Sequence, residues 1–340
     1  MRLGIAMVVA LAIGLSGWSG VSRSIASSTL AHTAPYTIGL SDFFIGNSWQ
    51  AENISLFNQA CHSHPKLVKS CIVENANGSI SAQIAQIQAL ISRRVDAILL
   101  DANSAAGLNG VVSRALAAGI PVENYDSIIT GRATSKINTN QYQWGVLTGT
   151  WLVNKLHGKG NIIVLNGLAG NPTNNLRYAY AKQLFARTKG IHVLAVGYDL
   201  WDRAKAQADV SRMLDAYPKV DGVWSQGGAM TAGAIIDFQK AGRKLVPMTG
   251  EDYNGFLKLW IQNKSKGFTS LSPGQPNYLV TLAFYAALRA LHGQHFKSAV
   301  NVPLPVITDQ TVNRYYRSGK PVSYWVLDKL PMGEINKLLR

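Results

Sequence analysis

Val95-Asp96-Ala97-Ile98-Leu99-Leu100, followed by Ala118-Gly119-Ile120-Pro121-Val122 and Asp126, returns later as Val220-Asp221-Gly222-Val223-Trp224, then Ala241-Gly242, Leu245-Val246-Pro247-Met248 and Asp252. The first aspartates of the two versions lie 125 residues apart and the last ones 126. The apolar run Asn161-Ile162-Ile163-Val164-Leu165 sits the same 125 residues beyond Tyr36-Thr37-Ile38-Gly39-Leu40. Self-similarity of this kind marks a duplicated unit. Each copy alternates short apolar runs with amphipathic stretches, so each reads as a parallel sheet covered by helices on both faces. The expected fold is α/β: two doubly wound, Rossmann-like lobes. Their strand ends face each other across a cleft, a natural place to enclose a small molecule.

Outward from the repeat, strands are expected over 36–40, 67–73, 96–100 and 121–125, with helices over 49–62, 79–93 and 107–118. In the second copy strands fall over 161–165, 192–196, 222–224 and 245–249, with helices over 174–188, 204–217 and 231–241. Asn138-Thr139-Asn140, 270–276 and 303–308 break the duplication and read as crossings between lobes. On that reading 35–139 with 273–305 forms the first lobe and 140–272 with 306–340 the second. A hinge of three strands permits bending with little twisting.

A chain of 340 residues suits two domains of ordinary size. Met1-Arg2 precedes an apolar stretch from Leu3 to Leu15, the length of a signal-peptide core and too short to span a membrane. Residues 1–26 are therefore read as an export signal cleaved before Ser27. No cysteine lies at that junction to carry a lipid, which places the mature chain in the periplasm. Cys61 and Cys71 are the only cysteines. In an exported chain they read as a disulfide; His62 and His64 beside Cys61 admit a metal site as the other reading, without its regular spacing. The formal charge falls from +15 to +13 when Arg2 and Arg23 leave with the leader. The basic residues are scattered, with no run beyond Arg93-Arg94, which argues against nucleic-acid binding.

Ser41-Asp42 followed by Trp49, Gly119-Ile120-Pro121-Val122 with Asp126, Gly167-Leu168-Ala169-Gly170, Asp199-Leu200-Trp201-Asp202-Arg203, Met230-Thr231-Ala232-Gly233-Ala234 and Gly250-Glu251-Asp252 occur in this order. Through them the chain resembles type I periplasmic binding proteins of the ribose and galactofuranose class, the exported receptors of ABC sugar importers, over residues 36–309. The resemblance implies a ligand-binding monomer with a membrane permease as partner and no cofactor. It also puts Trp49 and Trp201 at stacking positions, one from each lobe.

A sugar presents hydroxyls around its edge and C–H faces above and below, so its site needs carboxylates and amides in the ring plane and aromatics over the faces. Asp126 and Asp252 come after equivalent strands of the two halves and are the expected carboxylates. Asn47, Gln50 and Gln226 are the expected amides. Each residue has a plainer role open to it: aspartate as turn or helix cap, tryptophan as core, amide as loop surface. Two arginines of the resembled class are missing here, where Ser127 and Asn175 stand; Asn175 and nearby Arg177 are candidates for the same wall. Gly227-Gly228 replaces an asparagine of many relatives, and no residue of 272–277 is assigned. These departures point to a less charged, roomier cleft than a ribose site.

Two other function classes are open to such a fold. Catalytic and phosphate-binding signatures such as Gly-x-Gly-x-x-Gly, Gly-x-Ser-x-Gly and His-Glu-x-x-His do not occur, so an enzyme is not expected. A transcription regulator of similar architecture carries a helix-turn-helix where this chain has its apolar leader. A sensor component feeding a chemoreceptor or kinase would use the same cleft.

Overall fold

The computed structural model describes residues 32–340, and the leader read over residues 1–26 lies outside them. The first half runs β1 (Tyr36–Asp42), α1 (Ser48–His62), β2 (Val68–Asn75), α2 (Ile80–Ser92), β3 (Ala97–Leu100), α3 (Asn109–Ala117), β4 (Val122–Tyr125), β5 (Ser135–Asn138). The second half runs α4 (Gln141–Lys155), β6 (Lys159–Asn166), α5 (Pro172–Arg187), β7 (Gly190–Tyr198), α6 (Arg203–Ala216), β8 (Gly222–Ser225), α7 (Gly228–Lys240), β9 (Met248–Thr249), α8 (Asn254–Lys264), β10 (Ser270–Pro273). The rest is α9 (Leu279–Leu291), β11 (Ala299–Asn301), β12 (Val306–Thr308), α10 (Val312–Tyr315) and α11 (Met332–Leu339). Two six-stranded sheets result, ordered β11-β5-β4-β3-β1-β2 and β12-β10-β9-β8-β6-β7. Every pairing is parallel except β10 with β12. This is the pair of α/β lobes that the duplication requires.

Local chemistry sets the helix starts. Asn47, Ser79, Asn140, Asn171 and Asp202 each accept a backbone N–H in the first turn of their helix. Each such cap contributes about 1 kcal/mol. The central strands β3 and β8 are buried along their whole length, which is why they read as continuous apolar runs rather than alternating ones. The sequence pattern does not announce α4, whose Gly145 lies so close to α5 that a Cβ there would come within 2.1 Å of the Arg177 carbonyl oxygen. Small residues on α4 let the two helices meet backbone to backbone, and that contact seats Arg177.

The chain passes between sheets after β5, after β10 and after β11, and then once more. After β12 and α10 the tail runs along the second lobe. However, α11 packs on α9 and β11, with Ile335 and Leu339 in the first lobe's core beside Leu288 and Val300. This corrects the reading of 306–340 as wholly second-lobe. The buried pair at i and i+4 needs an apolar bed, and α9, apolar on most of its surface, supplies one in the first lobe.

Cys61 and Cys71 are joined in a disulfide linking the end of α1 to β2. Residues Asn47, Trp49 and Gln50 stand at the other end of α1. Replacing both cysteines by serine is expected to cost about 2 to 3 kcal/mol in chemical denaturation while leaving ligand affinity within twofold.

Candidate functional site

Between the C-terminal ends of the two sheets lies a narrow cavity. It is lined by Phe43, Trp49, Trp201 and Trp325 as aromatic walls and by Asn47, Gln50, Asp126, Thr173, Arg177, Glu251 and Gln275 as polar groups. The lobes touch around it. Asn47 Nδ2 donates to the Leu200 carbonyl at 3.1 Å, Asn171 Nδ2 donates to Ser127 Oγ at 3.1 Å, and the Phe43 and Trp201 rings meet edge to face at 6.3 Å.

Arg177 is the charged centre. It is 1% exposed, and no other lysine or arginine among the described residues is buried. Its Nη1 lies 2.7 Å from Glu251 Oε1 and donates to the Gln226 carbonyl at 2.9 Å. Nε donates to Gln141 Oε1 at 2.7 Å, and the guanidinium stacks 4.6 Å from the Trp144 ring centroid. Asp126 stands opposite, its carboxylate accepting from Ser127 Oγ at 3.1 Å and from Gln275 Nε2. Gln275 in turn accepts from Thr139 Oγ1 at 2.7 Å and from Gln141 Nε2 at 2.9 Å. One network thus joins the first lobe, the crossing segments and α4.

Acids outnumber this single cation. Burial pushes Asp126 up, against the pull of Arg177, and pushes Glu251 up to about 8 by the same cause. Behind the wall, burial raises Asp42 to about 7 and Asp101 well above the usual carboxylate range, with Asp126 adding repulsion to both. The site as built therefore holds protons that a partner donating hydrogen bonds to carboxylates would drive off.

Of the residues expected from sequence, Asn47, Trp49, Gln50, Asp126, Arg177 and Trp201 line the cavity, and Asn175, Gln226 and Asp252 do not. Asn175 is exposed on the outer side of α5, its Nδ2 donating to the Gly170 carbonyl at 3.2 Å. Gln226 is fully buried as a strut: Nε2 donates to Asn166 Oδ1 at 2.8 Å and to Asn174 Oδ1 at 3.1 Å, and its carbonyl holds Arg177. Asp252 turns toward the tail and accepts the Leu327 N–H at 3.1 Å. The second-lobe carboxylate of the cavity is its neighbour Glu251.

Counted by the repeat, Asp126 and Glu251 are 125 residues apart, the offset of Asp96 and Asp221. That register was the available signal; Asp252, one residue out of step, matched only in residue type. Thr173, Gln275 and Trp325 lie in a helix start, a crossing and the tail, where no strand pattern points to a cleft.

Two cavity residues, Asp126 (φ 52°) and Trp201 (φ 55°), and Leu200 (φ 56°) just before Trp201 hold backbone in the left-handed region. Non-glycine residues there cost on the order of 1 kcal/mol or more each and persist where surrounding contacts over-determine them. For Trp201 the contact is Gly167, where a Cβ would fall 2.1 Å from the indole. Gly167→Ala is expected to displace the indole, lowering stability by about 1 to 3 kcal/mol. Ligand binding should weaken about tenfold, the worth of one aromatic face; thermal melting and calorimetry read the two effects separately.

The family model for the periplasmic binding protein domain matches residues 38–295, and the chain belongs to that family, the one its sequence resembles. It is 30% identical over 243 residues to the xylitol-binding protein of Mycolicibacterium smegmatis, covering 70% of this chain and 68% of that one. It is 22% identical over 276 residues to the ribose import binding protein of Bacillus subtilis, covering 81% and 88%. Among solved structures, an ABC transporter solute binding protein from Thermobispora bispora superposes with a TM-score of 0.81 at 26% identity, over 89% of this chain and 94% of that one. A galactofuranose binding protein superposes with a TM-score of 0.73 at 19% identity, over 85% and 100%, which speaks to the fold alone.

Proposed function

We propose that this chain captures a sugar or polyol in the interlobe cavity and delivers it to the membrane permease of an ABC importer. The observation that carries the reading is the cavity's composition. Asp126, Glu251 and Arg177 accept from and donate to hydroxyls, while Trp49, Trp201 and Phe43 cover C–H faces. Charge-assisted hydrogen bonds of this kind contribute roughly 1.5 to 3 kcal/mol each. Relatives named for xylitol and ribose binding support the ligand class. The same reading makes the protein an exported monomer that meets its permease at the membrane. Among the described residues no helix is long and apolar enough to cross a membrane.

Capture and release suffice for this role, and no bond in the ligand need change. Isothermal titration against xylitol, D-ribose, D-galactose and myo-inositol tests it. Binding of at least one in the micromolar range is expected; dissociation constants all weaker than about 1 mM would remove the proposal. Mass spectrometry of recovered ligand should show it unaltered.

A further inference from the structure

The cavity has a wall that the duplicated unit does not supply. Trp325 belongs to the tail that leaves β12, yet it is fully buried and lines the cavity beside Trp49. The tail is fixed to the second lobe by backbone pairing. Asn254 N–H donates to the Tyr324 carbonyl at 2.8 Å, Gly255 N–H to the Val322 carbonyl at 2.9 Å, and Val326 N–H to the Asp252 carbonyl at 3.2 Å. Asp252 and Asn254 add side-chain bonds to the same segment, and the Trp325 ring packs 5.3 Å from that of Tyr253.

The first lobe grips the same residue. Trp325 N–H donates to Glu52 Oε2 at 2.7 Å and its indole Nε1 donates to Ser48 Oγ at 3.1 Å, both on α1. Glu52 and Ser48 thus fix the backbone and the ring of one tail residue from the lobe opposite the one that carries the tail. A residue present only to fill the second lobe's core would not need two polar bonds across the cleft.

We propose that Trp325 is a specificity-determining residue: held against both lobes, its indole closes one side of the cavity and limits the ligand to the size of a single sugar ring or short polyol. The inference rests on the sugar-capture reading and adds the size limit and its source. Removing the indole opens that side, so a ligand bearing a second ring gains room while a small one loses a wall.

The test is titration of the full chain, wild type and Trp325 variants, against xylitol, D-ribose, D-galactose and myo-inositol together with the disaccharides lactose and melibiose. The quantity read is the ratio of small-ligand to disaccharide affinity within each variant, which a partly unfolded fraction leaves unchanged. Wild type is expected to bind a small member and neither disaccharide. Trp325→Ala should weaken the small ligand about tenfold and admit a disaccharide, while Trp325→Phe should bind the small ligand within about threefold of wild type and still exclude both disaccharides. Should the alanine variant not fold, Trp325→Leu keeps apolar cover over Tyr253 and is expected to shift the ratio in the same direction. An unchanged ratio in the alanine or leucine variant, or disaccharide binding by wild type, overturns the size limit and leaves sugar capture standing. Failure of wild type to bind any of the six overturns the capture reading, and the size limit falls with it.

Discussion

Arg177→Met is expected to lower the melting temperature of the ligand-free protein by about 10 °C at pH 8.5 and to weaken ligand binding by about a hundredfold. The guanidinium is 1% exposed, and its contacts with Glu251, Gln141, the Gln226 carbonyl and the Trp144 face use most of its donors. Removing one member of a buried ion pair costs about 3 to 5 kcal/mol, because the partner charge stays behind without compensation. At about 2 to 4 °C per kcal/mol for a chain of this size, that is roughly 10 °C. Lysine should not rescue, since a single ammonium cannot meet Glu251 and Gln141 in their two directions or stack on an indole. The deficit should shrink in acid. Burial raises Glu251 to about 8 even with Arg177 pulling it down, so without the guanidinium the abandoned carboxyl rises further and in acid takes a proton instead of remaining charged. Scanning fluorimetry at pH 6 and pH 8.5 separates the two regimes. A drop below about 2 °C at the higher pH would mean that Arg177 is not the held counter-ion of Glu251.

How far the sequence revealed this site depends on which part of the chain supplies each residue. The strands of the duplicated unit announce themselves through apolar runs, and the end of a strand fixes where the next loop begins; hence Asp126 is legible from the pattern, whereas Trp201 is placed at the site by the family resemblance. The second carboxylate, Glu251, stands where the repeat's 125-residue spacing puts it, one residue before the aspartate that residue type alone points to. Gln50 and Gln226 looked alike as amides after strands. In the first lobe Gln50 donates to Asp101 at 2.9 Å and still faces the cavity, whereas in the second Gln226 donates to Asn174 at 3.1 Å and lies behind it. The two are not counterparts in the repeat, since Gln226 lies 125 residues beyond Asp101, and which of them faces the cavity is set by tertiary packing that single-residue character does not encode. Gln275 and Trp325 were out of reach for a different reason. They sit in irregular segments whose course is determined by long-range bonds, such as Trp49 Nε1 to the Gln275 carbonyl at 2.9 Å and Trp325 N–H to Glu52.

The surplus of buried acids sets the second large effect: the ligand-free protein should lose stability as pH rises from 5 to 8, and ligand affinity should rise over the same interval. Burial raises Asp42, Asp252 and Glu52 to about 7 and Glu123 and Glu251 to about 8. In the unfolded chain these carboxyls ionise near pH 4. Between the two ranges the native state binds more protons than the unfolded one, so stability falls with rising pH across that window and is greatest at its acid end. A decrease in melting temperature on the order of 5 °C or more from pH 5 to pH 8 is expected. Bound hydroxyls reverse part of this at Asp126 and Glu251, because they donate to a carboxylate better than to a carboxylic acid. Binding should therefore release protons, and the heat of titration should differ between phosphate and Tris at pH 7 by the buffers' own ionisation heats. Glu123→Gln provides the control. Glu123 is fully buried against Ser135 and does not line the cavity, so its loss should flatten the stability slope and leave proton release intact. Affinity independent of pH, with equal heats in both buffers, would show that Asp126 and Glu251 do not change ionisation when the cavity fills.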